Sequence, residues 1–347
     1  MPVLDIQSLD LSAVVAIFLA SGLVVLLCGV RLTRLADGFA ARSGIGQAVT
    51  GAVVLGALTS LSGSVTSVSA AAAGHPALAT SNAIGGIAAQ TMFLVIGDLV
   101  YRRANLEHAA ASLPNMLSGS VLMILLGLLP MAALLPPVTV AGVHPLTPVL
   151  FLIYVLAVRA TDRAGRQQNW IPRQTSETRV DQPDEQARRI GVGLPLVLAI
   201  LGLGAVVGVA GYLISGSALA MASTLGVREG LIGAVLTSTV TSTPELVTTL
   251  AAVRRGALAL AVGGILGGNT FDVLFMAFSD IAYRPGSIYH TLSPDQVFLV
   301  LLAMVMTAVL IFGLLHRERR GFANIGFESA SLTVLYAGGV AALVWAF

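Results

Sequence analysis

The sequence has no lysine, one cysteine and few charges: of its 347 residues, 10% are charged and 6% aromatic. All 19 basic residues are Arg, a bias of coding composition more than of chemistry. The net charge of +2 is spread through polar connections, so no basic face is available to nucleic acid. Cys28 stands alone, which excludes an intramolecular disulfide and a metal–thiolate site. Asp5 and Asp10, and no Arg, precede the apolar run at 13–30, so that run is expected to be a first membrane span and not a cleaved signal peptide. The one long polar stretch, 162–190, is too short and too poor in clustered acids for a regulatory ion-binding domain.

What is abundant is apolar length. Hydrophobic residues make up 56% of the chain and the mean hydropathy is +0.89, the signature of a polytopic membrane protein. Apolar segments of spanning length fall at about 11–31, 45–73, 77–100, 114–135, 146–161, 191–214, 229–253, 258–282, 296–315 and 327–346. A helix needs roughly 20 residues to cross a bilayer, so the expected fold is all-α with ten transmembrane helices.

The polar stretch divides the chain into 1–161 and 191–347, and the halves resemble each other at a fixed offset of 182 residues. Gly51-Ala-Val falls on Gly233-Ala-Val, Thr59-Ser60 on Thr241-Ser242, Val65-Thr66 on Val247-Thr248 and Gly74 on Gly256. Gly85-Gly86 falls on Gly267-Gly268, Asp98 on Asp280, Tyr101-Arg102 on Tyr283-Arg284 and His108 on His290. Five spans per half make the second copy enter the membrane from the opposite side, which predicts two inverted five-helix repeats with a site near the midplane at their interface. Seventeen Arg lie in connections on one side, against Arg228 and Arg284 on the other. The positive-inside rule therefore puts the Arg-rich side and the 162–190 loop in the cytoplasm and both termini outside.

Within the second half, Glu245 and Asp272 lie inside apolar runs, where a carboxylate is costly and marks an ion pathway by default. Thr241, Ser242 and Glu245 stand at i, i+1 and i+4, on one side of a helix. Pro244 lacks an N–H and is expected to bend that helix and free the Val240 carbonyl. Oxygens concentrated at a helix break suit a hard cation. The structural alternative for the carboxylates is a buried pair holding helices together. The hydroxyls can instead bond back to their own helix.

Thr-Ser-Thr-Pro-Glu-Leu-Val at 241–247, Arg-Arg-Gly at 254–256 and Gly-Gly-Asn-Thr-Phe-Asp at 267–272 resemble an alpha repeat of the calcium/cation antiporter superfamily, the group that includes sodium/calcium exchangers. Val240 and Gly268 depart from that family's usual Gly and Ser. The resemblance marks alpha repeats at 51–98 and 233–280. It implies a cation antiporter of the cytoplasmic membrane with Glu245 and Asp272 as charged ligands, the hydroxyls of Thr59, Ser60, Thr241 and Ser242 and the Gln90 amide completing the shell. It also implies peripheral helices that slide past a core. Transport of this kind needs no cofactor and makes no covalent bond. The partners expected are membrane lipid and small cations.

The first repeat has lost the family's carboxylate. At the 182-residue offset Glu245 falls on Gly63, Pro244 on Ser62 and Asp272 on Gln90. Gln90 is either a ligand or a bond between helices, worth about 0.6 kcal/mol on average. With two carboxylates the site carries −2, which balances one Ca²⁺ or two monovalent ions. The leading expectation is exchange of Ca²⁺ for H⁺ or Na⁺. The alternatives are a monovalent cation/proton exchanger and a scaffold or sensor that binds an ion without carrying it. Asp98 and Asp280, each four residues before an Arg, read as interfacial salt bridges. His108 and His290 read as solvated loop residues.

Overall fold

The computed structural model describes residues 6–43, 56–101, 105–167, 192–318 and 326–347, and the regular elements among them are helices. They are α1 (Leu11–Ser43), α2 (Leu61–Ala72), α3 (Pro76–Val100), α4 (Leu113–Ala133), α5 (Leu146–Gln167), α6 (Leu194–Leu225), α7 (Thr243–Arg255), α8 (Leu258–Asp272), α9 (Leu274–Ala282), α10 (Pro294–His316) and α11 (Phe327–Trp345). Short helical pieces at Gly56–Thr59, Leu106–Ala110, Glu229–Leu231 and Ser238–Thr241 lie between them.

Seven of the ten predicted segments are helices long and apolar enough to span a bilayer: α1, α3, α4, α6, α8 with α9, α10 and α11. The other three differ for local reasons. Residues 45–55, including Gly51-Ala-Val, lie outside the described residues, and the rest of that segment is divided at Ser60. The last turns of α5 carry Arg159, Asp162 and Arg163, and the helix continues through the predicted boundary at 161 to Gln167; the remainder of the polar loop, 168–190, lies outside the described residues. The segment 229–253 is broken by a π-helical stretch at Ile232–Thr237 and again at Ser242.

Those breaks recur in both halves. Ser60 (φ −88°, ψ 12°) and Ser242 (φ −92°, ψ 5°) interrupt their helices at equivalent positions. Pro244 sits in the first turn of α7, where its missing N–H costs nothing. The Val240 carbonyl is not free as expected: the Thr243 hydroxyl donates to it at 2.8 Å, capping the broken end with a side chain. Gly74 (φ +87°) and Gly256 (φ +77°) end the second piece of each broken helix in the left-handed region, which glycine enters without steric cost.

Burial separates core from periphery. Of the span windows, 78% of α3 and 72% of α8–α9 are buried, against 28% of α1 and of α6, which pack on each other. The two best-buried spans are thus the ones that carry Gln90 and Asp272. Their interior depends on close backbone approach: a Cβ on Gly85 would lie 2.5 Å from the Ala234 carbonyl oxygen. The peripheral helices cross the broken ones just as tightly. A Cβ on Gly29 of α1 would meet Pro244 Cγ at 2.6 Å, and one on Gly211 of α6 would meet the Ser62 carbonyl oxygen at 2.6 Å. Gly29 and Gly211 are themselves 182 positions apart, as are Ser62 and Pro244.

Two carboxylate clasps lock the core. Asp98, at the end of α3, accepts from Leu106 N at 2.8 Å, Gly326 N at 3.3 Å and the Ser329 hydroxyl at 2.8 Å. Asp280, at the end of α9, accepts from Ile288 N at 3.1 Å, His144 N at 2.8 Å and the Thr147 hydroxyl at 2.6 Å. Every partner of one clasp is 182 positions from its counterpart in the other. The interfacial salt-bridge reading is therefore corrected for Asp280, because three nearby donors outcompete a side chain exposed at the surface. Arg102, the expected partner of Asp98, lies outside the described residues. The histidines are corrected as well: His108 Nδ1 meets the Arg317 carbonyl at 2.8 Å and His290 Nε2 the Leu135 carbonyl at 2.7 Å, again equivalent contacts, so both rings tie a loop to a helix end.

Candidate cation site

The two breaks bring their Ser residues to one cleft between α3, α7 and the α8–α9 junction. It is lined by Ser60, Gly63, Asn82, Gly86, Gln90, Thr241, Ser242, Glu245, Asp272 and Phe275, and its free volume is about 10 Å³, room for a single water-sized sphere. An ion of any kind must shed most of its water to sit there. Six of the seven residues expected at the site from sequence thus line one cleft. Thr59 lines a second, wider cavity that shares Glu245 with the cleft; its hydroxyl bonds back to the Gly56 carbonyl at 3.2 Å and lies within reach of the Glu245 carboxylate. The Thr241 hydroxyl also reaches back, to the Ser238 carbonyl at 3.3 Å.

The hydrogen bonds in the cleft leave oxygen lone pairs over. Gln90 Nε2 donates to Asp272 Oδ2 at 2.6 Å and to Ser242 Oγ at 3.2 Å, which uses both its hydrogens. Asn82 Nδ2 likewise spends both, on the Gly63 carbonyl at 3.1 Å and Ser67 Oγ at 2.9 Å. Ser60 Oγ reaches Glu245 Oε1 at 3.4 Å. With the amide donors so committed, Asn82 Oδ1, Gln90 Oε1, Glu245 Oε2 and Asp272 Oδ1 are buried without a hydrogen-bond partner. Each unpaired buried oxygen costs on the order of 1–3 kcal/mol unless something positive meets it. Four in one place make an environment suited to a cation. Among the described residues no three His, Cys, Asp or Glu side chains gather to ligate a metal, so the charge here is that of two carboxylates and the rest of the shell is neutral oxygen.

Glycines shape the cleft walls. A Cβ on Gly86 would stand 3.5 Å from Ser242 Oγ, and one on its equivalent Gly268 would stand 3.5 Å from Gln90 Oε1. At Gly63 a Cβ would be 2.8 Å from a ring carbon of Phe275 and 3.6 Å from Thr241 Oγ1. Gly63 therefore faces the site, where the family pattern has its first carboxylate.

Asn82 was missed in the sequence because its equivalent at the 182-residue offset is Gly264, so the repeat comparison gives it no partner. Asn269, one turn before Asp272, was quoted in the motif but assigned no role. Its Nδ2 donates to the Ile87 carbonyl and Thr91 Oγ1 at 3.3 and 3.1 Å, fixing α8 on α3, and its Oδ1 is buried and unpaired. The wider cavity, about 370 Å³, was not foreseen either. Thr33, Asp37, Asn115, Thr248, Arg255 and Glu245 line it, so Glu245 borders both spaces.

Residues 13–158 and 194–345 match the family model described as sodium/calcium exchanger protein. Two curated relatives align over part of the chain. The inner membrane protein YrbG of Escherichia coli is 28% identical over 130 residues, 37% of this chain and 40% of its own length. The sodium/calcium exchanger MaX1 of Methanosarcina acetivorans is 26% identical over 147 residues, 42% of each. The chain thus spans about two fifths of the length of these relatives in the aligned region. Among solved structures, the H⁺/Ca²⁺ exchanger CAX superposes with a TM-score of 0.63 at 17% identity, covering 96% of this chain and 82% of that one. The sodium-calcium exchanger NCX_Mj gives 0.60 at 18% identity, covering 96% and 100%. At these identities the superpositions establish a shared fold.

Proposed function

The chain belongs to the sodium/calcium exchanger protein family, and from that premise and the geometry of the cleft we propose that it is a secondary-active antiporter exchanging Ca²⁺ for H⁺ or Na⁺. The observation that carries this reading is the set of four buried, unpartnered oxygens on Asn82, Gln90, Glu245 and Asp272. Glu245 and Asp272 supply the charge, the Gln90 and Asn82 amides supply neutral oxygens, and Ser60, Thr241 and Ser242 complete the shell. A Ca²⁺ ion takes 6–8 oxygens, and two carboxylates neutralise it. The alternative occupants are two H⁺ or two Na⁺.

The wider cavity is the route to the site from one side. Asp37 and Arg255 line it, and Arg255 belongs to one of the Arg-rich connections. Ten crossings in two inverted halves, with the Arg-rich side in the cytoplasm and both termini outside, belong to the same reading. The equivalent clasps support it, because α4 runs from one to the other: Asn115 near its start bonds the Ala259 carbonyl beside the Asp98 end, and Leu135 past its finish meets His290 beside the Asp280 end. Alternating access would shift α1 and α6 together across the broken helices at Gly29 and Gly211.

Reconstituted protein tests this directly. Proteoliposomes loaded with ⁴⁵Ca²⁺ should release it against an imposed H⁺ or Na⁺ gradient, and Glu245→Gln should abolish the release. Binding of Ca²⁺ without flux under every gradient would sink the antiporter assignment.

A further inference from the structure

The Asp98 clasp differs from its counterpart in what surrounds it. Glu107 follows Leu106, whose N–H Asp98 accepts, and Glu328 precedes Ser329, whose hydroxyl Asp98 accepts. The two Glu are 1% and 0% exposed, and all four of their carboxyl oxygens lack a hydrogen-bond partner. Around Asp280 the equivalent positions are Tyr289, whose hydroxyl meets Thr147 Oγ1 at 2.9 Å, and Leu146. One clasp is thus flanked by satisfied or apolar groups, and the other by two acids that find no hydrogen-bond partner among the described residues.

Glu328 is held in place by the fold. The Glu328 side chain lies in a slot made by Gly313 and Gly326, whose Cβ atoms would stand 2.2 Å from its Cγ and 2.7 Å from its Oε2. Asp98 is an acceptor already engaged by three donors, so it has nothing to offer either neighbour. Among the described residues, the charged groups facing Glu107 are Asp98 and Glu328, and those facing Glu328 are Glu318, His316 and Asp98. The nearby Arg317 guanidinium and His108 bond each other's carbonyls. Burial, then Asp98, raises the Glu107 carboxyl from its ordinary 4.5 to about 8.

We propose that Glu107, packed beside the buried Glu328, makes the Asp98 clasp a proton-operated latch: while the Glu107 carboxyl holds its proton α3 stays tied to α11, and when rising pH strips it the latch opens and transport slows. The latch sits at the Arg-rich end, cytoplasmic in the reading above, so it would respond to cytoplasmic pH. Asp98 is eight residues beyond Gln90 on α3, about 12 Å at 1.5 Å per residue. Release of that helix end therefore loosens the helix that carries Asn82, Gly86 and Gln90.

The direction follows from linkage. Below about 4.5 the open and closed latch both hold the Glu107 proton. Between 4.5 and about 8 only the closed latch holds it, so opening becomes easier by up to tenfold per pH unit. Above about 8 both forms are ionised and the effect levels off. Between pH 6.5 and 8 the opening constant should rise by up to about thirtyfold.

Hydrogen–deuterium exchange of residues 105–110 and 326–330 reads the latch without any transport assay, so its result is separable from that of the antiporter reading. Wild type and Glu107→Gln should exchange alike at pH 4.5, and the gap between them should widen as pH rises towards 8. At pH 8.5 wild type should exchange at least tenfold faster, with Glu328→Gln also slower than wild type. Glu107→Leu, neutral by another route, should match Glu107→Gln, and Asp98→Asn should open both segments at either pH. In oriented proteoliposomes wild-type flux should fall as pH rises on the latch side, while Glu107→Gln stays flat. Equal exchange of wild type and both Glu107 variants at pH 8.5 would overturn the proposal. Closure of the wild-type segments at pH 8.5 by millimolar Ca²⁺ or Mg²⁺ would overturn it too, by showing a cation site in place of a proton latch.

Discussion

Gln90 and Asp272 occupy the same position in the two halves of the chain and touch each other, amide nitrogen to carboxylate oxygen, at 2.6 Å. Residues 182 positions apart meet again one turn away, where the Asn269 amide donates to the Ile87 carbonyl at 3.3 Å, so α3 and α8 cross with these positions opposite their own copies. The Gln90–Asp272 pair is unequal, an amide against a carboxylate, and that inequality sets the charge of the site.

Removing either carboxylate should stop exchange without unfolding the protein. Glu245→Gln and Asp272→Asn keep volume nearly constant and delete a charge that is costly at membrane depth. Flux in proteoliposomes should drop to background while the melting temperature holds or rises. Gln90→Ala should be milder, since it removes one neutral oxygen and a donor to Asp272. Wild-type flux in Glu245→Gln would remove that residue from the site.

Exchange should be insensitive to voltage. Two carboxylates balance one Ca²⁺ or two monovalent ions, so each half-cycle crosses the membrane with the site neutral. A net charge of one would add about 2.3 kcal/mol per 100 mV. A potassium diffusion potential that accelerates or reverses flux would show a third charge that the two-carboxylate account lacks.

Gly63 offers the converse test. Gly63→Glu introduces a carboxylate into the cleft and should make transport voltage-dependent or trap the ion. Because a Cβ at Gly63 stands 2.8 Å from the Phe275 ring, Gly63→Ala is the control for ring displacement alone, and it should lower flux without adding voltage dependence.

At the periphery, Gly29→Leu or Gly211→Leu should depress flux while leaving both carboxylates in place. Each side chain would collide with the broken helix it crosses, at Pro244 or Ser62. Retained Ca²⁺ binding with lost flux, measured on the same preparation, is the expected signature. Loss of both together would point to misfolding.

Asp280→Ala should destabilise the protein by about 3–5 kcal/mol, because it leaves the His144 and Ile288 N–H groups and the Thr147 hydroxyl without an acceptor. Thermal unfolding in detergent measures this, and Asp280→Asn, which keeps an acceptor, should lose less.

Much of this was legible in the chain. Seven spans follow from apolar length; five cleft residues are hydroxyls and carboxylates inside apolar runs, and the sixth, Gln90, follows from the repeat offset that pairs it with Asp272. Hydropathy could not locate the breaks at Ser60 and Ser242, because the residues around them are as apolar or hydroxylic as those of an unbroken helix. The Asp280 clasp was misread because an Asp four residues before an Arg has the spacing of a local ion pair, whereas its partners include a residue 136 positions away; Asp98 likewise reaches a residue 231 positions away. Asn82 escaped notice because its counterpart is a glycine. The 182-residue offset holds beyond the motifs, reaching Gly29 with Gly211 and His144 with Gly326, which only the contacts reveal.

The span of the Asp98 clasp also sets an order for biosynthesis. Its acceptor lies on α3, yet two of its three donors, Gly326 N and Ser329 Oγ, are made only as the final helix is translated. The first half must therefore wait in the membrane with that carboxylate held by the Leu106 N–H alone until α11 has been inserted. Ribosomes that stop short of Ser329 would release a product whose earlier helices cannot lock, and such fragments should be substrates for membrane quality-control proteases, however complete their first five segments are.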